Sequence, residues 1–244
     1  MGKKKRSEAS SPVSAADSLS KALKSYDADA VKAALIAGAD PDHQVAMHSS
    51  PLNMVLALRS PLLKKRNQEK LSAERQLAVM QVLLEAGANP NLSNCEPTIL
   101  MAITSSGLDD EQIVLRQLQL LLDFGAHPNA LGRRPPSFRS TALHLAASRR
   151  WLSVGQLLLS RGADLGAVNG FGLTPLQSVV KRCNEVKRSY DKSTARQLPQ
   201  DTSLGVWGTV LAGIKKTQEE KDQSLLNDLQ KMIDFLKTVE ARTI

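Results

Sequence analysis

The sequence predicts an all-α solenoid of about five helix–turn–helix repeats that are joined by hairpin-like loops. Three observations predict it. A Gly-Ala stop recurs four times, each time after an apolar helical run. A short string led by Thr or Ser recurs between the stops, at a spacing that gives a period of 33 residues. Aromatic residues make up only 3% of the 244-residue chain, which is typical of aliphatic helices packed closely on each other.

The Gly-Ala stops are predicted to end the second helix of each repeat. They read AGADPD at residues 37–42, AGANPN at 86–91, FGAHPN at 124–129 and RGADLG at 161–166. Glycine adopts left-handed backbone easily, so the helix-ending residues are expected to be Gly38, Gly87, Gly125 and Gly162. The Asp, Asn or His that follows then turns the chain outward into a hairpin-like loop.

The strings between the stops are predicted to start the first helix of each repeat. They read SPLNMVL from Ser50, TILMAIT from Thr98, TALHLAA from Thr141 and TPLQSVV from Thr174. A Thr hydroxyl can cap a helix, and proline fits the first helical position, where Pro51 and Pro175 stand. In this alignment the place of His144 is taken in the other repeats by Asn53, Met101 and Gln177.

These spaced elements resemble the ankyrin repeat, most fully over residues 140–169. The resemblance implies a frame in which His144 hydrogen-bonds backbone and is not a catalytic base. It also implies that partners are bound by the hairpin tips and by the concave surface that the first helices form.

The chain is expected to divide into four segments. Residues 1–15 form a disordered basic, Ser-rich tail, and residues 16–183 form the solenoid, whose first helix is expected to begin at Asp17. Extra residues in repeats two, three and five fall between paired helices. Residues 184–222 are the longest insertion and include a short amphipathic helix, and residues 223–244 form a helix that packs on the last repeat, as a capping helix or as the displaced second helix of repeat five. Its apolar face holds Leu225, Leu229, Met232, Ile233 and Leu236.

The sequence offers no catalytic, cofactor or metal site, so we expect a protein that is not an enzyme. It contains no phosphate-binding G-x-x-x-x-G-K-[ST] string and no G-x-S-x-G elbow. His43 and His48 have no third ligand nearby, and Cys95 and Cys183 lie in no CxxC pattern. No run of 18 apolar residues is present, so no membrane-spanning helix is expected.

Basic residues mark the predicted contact surface. The net charge of +8 and the pI near 9.6 favour acidic partners or nucleic acid through long-range attraction. The hairpin between repeats three and four is four residues longer than the period, and it is the first choice for a partner contact. A solvated loop or helix face is the alternative for the candidate contact residues, which are Arg133, Arg134, Phe138, Arg139, Arg149 and Arg150.

The sequence therefore predicts a monomeric adaptor or scaffold that binds a protein partner, with an acidic partner favoured by the charge. The cytoplasm and the nucleus are both expected locations, since KKKR at residues 3–6 is compatible with a nuclear import signal. The alternative is a nuclear regulator that uses its basic patches on nucleic acid or chromatin. Few aromatic rings interleave with the basic residues, which disfavours a base-stacking surface.

Overall fold

The computed structural model describes residues 14–43, 50–57, 66–92, 96–105, 111–133, 139–195 and 205–243. These residues form ten α-helices: α1 (Ala15–Ser25), α2 (Ala28–Ile36), α3 (Pro51–Ala57), α4 (Arg66–Glu85), α5 (Thr98–Ser105), α6 (Glu111–Asp123), α7 (Ala142–Arg149), α8 (Leu152–Ser160), α9 (Pro175–Ala195) and α10 (Gly205–Thr243). The prediction of an all-α solenoid with insertions between paired helices is confirmed.

The chain divides into two compact units, residues 1–127 and residues 128–244. In the first unit the first helices pack in succession, α1 on α3 and α3 on α5. The second helices do the same, α2 on α4 and α4 on α6. Each repeat thereby covers the apolar side of its neighbour, which is how a solenoid builds a core that no single repeat could form.

The first helix begins earlier than the sequence analysis expected. Ser14 is its N-cap, and its hydroxyl oxygen accepts the backbone N–H of Asp17 at 3.1 Å. Asp17 is thus the third residue of α1 and not its start, and the helix is two residues longer at its N-terminal end. Of the predicted tail, residues 1–13 lie outside the described residues.

Hydrogen bonds to one carbonyl tie three elements of the first unit together. The carbonyl oxygen of Val55, near the end of α3, accepts both the Tyr26 hydroxyl at 3.2 Å and the Gln76 side-chain amide at 2.8 Å. Carbonyls in the last turn of a helix lack a partner within that helix, so these bonds supply one from the neighbouring elements. Burial raises the pKa of Tyr26 to about 12, so its hydroxyl stays protonated and able to donate.

The extra residues of repeat two begin between α3 and α4, as predicted. Residues 66–75 of that insertion are helical and lengthen α4. Glu74 in this added part forms a two-pronged salt bridge with Arg116 of α6. Both side chains are about half exposed, so the pair orients the insertion more than it stabilises the fold.

The second unit has a long C-terminal helix where two helices were expected. Helix α7 packs on α8 and α9, and α9 packs on α10. Helix α9 continues to Ala195, and α10 runs unbroken from Gly205 to Thr243, so the short helix expected within residues 184–222 and the helix expected from residue 223 are one. The assignment of residues 184–222 to an insertion stays a prediction.

The predicted apolar face of the last helix is buried. Leu229, Met232, Ile233 and Leu236 are buried, whereas Leu225 is half-buried. The ring of Phe235 approaches Gly155 of α8 so closely that a Cβ at that glycine would meet it at 3.4 Å. Helix α10 therefore covers the end of repeats four and five with its C-terminal part.

Candidate functional site

The four predicted helix stops have the backbone that the sequence analysis expected. Gly38, Gly87, Gly125 and Gly162 have φ angles of +94°, +92°, +85° and +82°. A Cβ at any of them would meet no heavy atom within 4 Å. Glycine is therefore required by the backbone conformation and not by a close neighbour.

The loops after these stops are linked by a ladder of polar side chains that the sequence analysis missed. The Asn91 side chain donates to the Gly125 carbonyl and accepts the His127 N–H, each at 2.9 Å. Asp42 accepts the Asn89 N–H at 2.9 Å in the same way. The available signal was the Asp or Asn found four residues after each of the first three stop glycines, a place that holds Gly166 in repeat four.

The same ladder occurs in the second unit. Asn129 donates to the Gly162 carbonyl at 2.9 Å and accepts the Asp164 N–H at 2.8 Å. Within each unit, neighbouring loops are thereby joined, because each of these side chains bonds to the backbone of the next repeat. The hairpins that follow the ladder residues start from fixed positions.

His144 joins repeats four and five and is not a free base. The Thr141 N–H donates to its Nδ1 at 3.3 Å, so the proton lies on Nε2, which donates to the Leu173 carbonyl at 2.9 Å. Burial lowers the pKa of His144, although the bond to Leu173 opposes that shift. Both ring nitrogens are used in the repeat frame, in agreement with the structural role that the resemblance implied.

Thr174 and Ser50 also precede their helices as predicted. The Thr174 hydroxyl oxygen accepts the Gln177 N–H at 3.3 Å, and the Gln177 side chain accepts the Thr174 N–H at 3.0 Å, which is a reciprocal cap. In repeat two, Asn53 donates its N–H to the Ser50 hydroxyl at 3.3 Å. Pro175 is the first residue of α9, as expected.

In repeat three, however, the predicted register is wrong by one residue. Helix α5 begins at Thr98, so Pro97 is the residue before it, and Leu100, not Met101, takes the place of His144. Leu100 is fully buried, whereas Met101 is half-buried, as Leu145 is in repeat four. The Thr98 hydroxyl is buried and has no hydrogen-bond partner among the described residues. The Ala102 match to Ala146 could have revealed this register.

The two hairpins of the second unit share one backbone frame. In the first, the Arg139 N–H donates to the Gly132 carbonyl at 2.7 Å, and the Gly132 N–H donates to the Ser140 carbonyl at 2.9 Å. These bonds join the chain just before residue 133 to the chain just after residue 138. Four of residues 133–138 are the insertion that makes this hairpin longer than the period.

The second hairpin repeats the frame around a shorter loop. The Gly172 N–H donates to the Asn169 carbonyl at 3.0 Å, and the Asn169 N–H donates to the Leu173 carbonyl at 3.0 Å. Gly172 thus stands where Arg139 stands, and Val168 stands where Leu131 stands. The two loops differ in length, but the backbone hydrogen bonds at their ends are alike.

Two of the candidate contact residues have left-handed backbone. Arg139 has a φ of +51° and Arg150 a φ of +64°, and the remaining non-glycine residue of this kind in the described part of the chain is Tyr26. Left-handed backbone costs a residue with a side chain about 1 kcal/mol. Tyr26 uses its side chain inside the fold, whereas both arginine side chains are exposed.

The other candidate contact residues are placed as follows. Arg133 is exposed in the first hairpin, and Arg134 and Phe138 lie outside the described residues. Arg149 is half-buried at the end of α7, and its guanidinium lies 4.8 Å from the centre of the Trp151 ring. The structure therefore brings Arg133 and Arg139 to one hairpin and places Arg149 and Arg150 at the other end of α7.

Exposed apolar side chains at the same hairpins were missed by sequence reasoning. Leu131, Val168 and Phe171 are 41%, 49% and 80% exposed, and the Lys181 ammonium lies 5.7 Å from the centre of the Phe171 ring. The signal for Phe171 was present, since it precedes Thr174 by three residues, as Phe138 precedes Thr141.

The charge of the chain is concentrated in this region. Residues 128–183 hold eight Lys or Arg and a single acid, Asp164, whereas residues 14–127 hold ten Lys or Arg and thirteen acids. A net charge of +7 out of the total of +8 thus lies in the hairpins and helices of repeats four and five.

Within the described ranges, no group of three or more His, Cys, Asp or Glu is placed to hold a metal ion. His43 is exposed in the first loop, and His48 is outside those ranges. Of the helices that the structure describes, none has the length and apolar character to cross a membrane.

Comparisons with known proteins agree with the motifs and the stacked helices. A family model of ankyrin repeats matches residues 70–169 in three copies. An ankyrin repeat protein of fowlpox virus (strain NVSL) is 27% identical over 192 residues, which cover 75% of this chain and 28% of the viral protein. Ankyrin repeats are generally protein–protein interaction modules and are typically not catalytic. The recurring motifs, the stacked helix pairs, the family model and the viral relative together support an ankyrin-repeat family for this chain.

Proposed function

We propose that the protein is a non-catalytic adaptor or scaffold that binds a protein partner through the hairpin tips and concave helix surface of repeats four and five. Arg139 is the observation that carries this proposal. It holds left-handed backbone at a position where the equivalent hairpin has Gly172, and its side chain is exposed. The fold would accept glycine there, so an arginine that raises the energy of the folded chain is best explained by a contact outside the chain.

Arg150 supports the same proposal at the far end of α7. It is the left-handed residue that follows the helix, and its N–H donates to backbone carbonyls, which glycine would do equally well. Arg149 beside it is held over Trp151. Arginine is among the residues that most often dominate protein interfaces, because its planar head makes several hydrogen bonds and stacks on rings.

The test compares wild-type protein with the Arg139→Gly variant in capture from cell extract, followed by cross-linking and mass spectrometry. Glycine suits the backbone, so the free energy of unfolding of the variant should equal that of the wild type or exceed it by up to about 1 kcal/mol. A protein captured by the wild type, cross-linked near residues 131–140 and lost from the variant supports the proposal. Capture that is equal for both proteins, or cross-links confined to the first unit, would contradict the assignment of this surface.

We infer further that the protein acts as a monomer in the cytoplasm or nucleus, with residues 3–6 promoting nuclear import. The run of three lysines and an arginine supports import. Replacing these four residues with Ala should lower the nuclear share of a fluorescent fusion, and an unchanged distribution would contradict the role.

A further inference from the structure

Five exposed side chains of repeats four and five form what we call the tip surface: Leu131, Arg139, Val168, Phe171 and Lys181. Three of them are the exposed apolar side chains of the two hairpins. The other two are cations, Arg139 in the first hairpin and Lys181 over the ring of Phe171. Apolar side chains at such exposures are common singly, but three of them on two neighbouring hairpins favour a binding surface.

The two hairpins that carry the tip surface are held beside each other. His144 at the start of α7 donates to Leu173, just before α9, and Asn129 bonds to Gly162 and Asp164 of the next loop. Helix α7 packs directly on α9. The hairpins that lead into these helices therefore present one surface and not two separate loops.

The electrostatics of this surface select a ligand. Eight cations and one acid lie within residues 128–183, and the single acid, Asp164, uses a carboxylate oxygen to accept the N–H of Gly166. A positive field of this kind draws in acidic chains and repels basic ones within about one Debye length of 10 Å. Leu131, Val168 and Phe171 add apolar surface, whose burial favours a ligand that carries apolar side chains as well as charge.

We infer that the tip surface binds a partner segment in which Asp or Glu residues alternate with large apolar side chains. The inference rests on the proposed function, since it names the chemistry of the partner at the same hairpins. Acidic side chains of the segment pair with Arg139 and Lys181, and its apolar side chains cover Leu131, Val168 and Phe171. The complementarity of charge and the apolar contact together define the segment.

The tip surface fits a peptide better than a nucleic acid. A phosphate backbone would satisfy the cations, but the bases of a single strand need rings on which to stack. Two of the three apolar side chains, Leu131 and Val168, are aliphatic, and the face of Phe171 is next to Lys181. Burying aliphatic carbon requires apolar carbon from the ligand, which acidic peptides with Leu, Ile or Phe supply.

The experiment is a selection from a displayed library of short random peptides on the purified full-length protein. Enriched peptides should contain more Asp and Glu than the starting library together with Leu, Ile, Phe or Trp. The best peptide is then titrated, with a fluorescent label, against the wild type and three variants: Arg139→Glu, Lys181→Glu and Phe171→Ser. Each variant is expected to bind about tenfold more weakly, because each removes a central contact.

A matched control separates the tip surface from the overall charge. Lys237→Glu changes the net charge by the same amount as either charge reversal, at an exposed position of α10 and outside both hairpins. Its affinity should stay within about twofold of the wild type, since exposed charges are screened. Circular dichroism of all variants verifies that the helices are retained.

The outcomes distinguish the inference from the proposed function. Enriched peptides without an acidic excess that still require Phe171 would overturn the inference and leave the proposed function in place. No enrichment, or a best peptide that binds all variants equally, would also overturn it. A single-stranded or duplex oligonucleotide that binds more tightly than the best peptide, and loses binding with Arg139→Glu and Lys181→Glu, would overturn both and favour the nucleic-acid alternative.

Discussion

Exchanging the two residues at the start of α5, Pro97→Thr together with Thr98→Pro, should stabilise the protein. The structure places proline at the cap position and threonine in the first turn, the reverse of the order in repeat five. The buried Thr98 hydroxyl has no partner among the described residues, and proline offers no side-chain acceptor to the first turn. Threonine would therefore suit the cap position better than Pro97, and proline would suit the first turn better than Thr98.

The magnitude follows from two contributions. A threonine at the cap position adds about 1 kcal/mol over a residue that cannot cap. Removing a buried hydroxyl without a partner restores at least about 1 kcal/mol more. Space is available, since Pro51 and Pro175 are buried at the equivalent position of repeats two and five. Because the exchange conserves composition, changes in the unfolded chain nearly cancel, and a total of about 2 kcal/mol is expected.

The assay is urea unfolding followed by circular dichroism, with amide exchange of α5 to localise the effect. Thr98→Val alone isolates the hydroxyl contribution. The opposite exchange in repeat five, Thr174→Pro with Pro175→Thr, is the matched control and should destabilise by about 1 kcal/mol, because it breaks the reciprocal cap with Gln177. If the exchange at residues 97 and 98 lowers the free energy of unfolding, Thr98 caps α5 and the register argued above is refuted.

Three further predictions concern the repeat frame. The folded pKa of His144 is lowered, so the free energy of unfolding of the wild type should fall as the pH drops below about 6.5. His144→Asn should abolish this part of the pH dependence, which is measured by unfolding both proteins at several pH values. Equal pH slopes for the two proteins would contradict the prediction. Gly162→Ala should cost about 1 kcal/mol in urea unfolding through backbone alone, and a neutral result would contradict its left-handed role. Asn129→Asp keeps the bond from Asp164 and loses the one to Gly162, so it should destabilise by about half as much as Asn129→Ala, which loses both.

Local rules recovered the helix stops and most helix starts. Gly162 and its counterparts could be predicted because glycine after an apolar run has one main use, which is to end a helix. Thr174 and His144 were placed by spacing. The error at Thr98 arose because the threonine was aligned by its type, whereas the packing of Leu100 and Ala102 decides where the helix begins.

The candidate site was only partly predictable. Arg139 was selected as a basic residue of the long hairpin, and Arg150 as one that the repeat frame does not require. That both have left-handed backbone emerged only in the structure. Phe171 and Val168 were overlooked, because an apolar residue in a loop is indistinguishable by sequence from one that folds back into the core. Whether such a side chain is buried depends on the residues that pack against it, and those residues belong to other repeats.

The sequence by itself determined the repeat frame of this protein, the order of its helices and the places where insertions interrupt them. These follow from local backbone preferences and apolar spacing, which act within a few residues of one another. Tertiary structure alone decided the register of repeat three, the length of α10 and the exposure of Leu131, Val168 and Phe171 on neighbouring hairpins. Those features depend on contacts between residues of different repeats, where the burial of one side chain is set by what packs across from it.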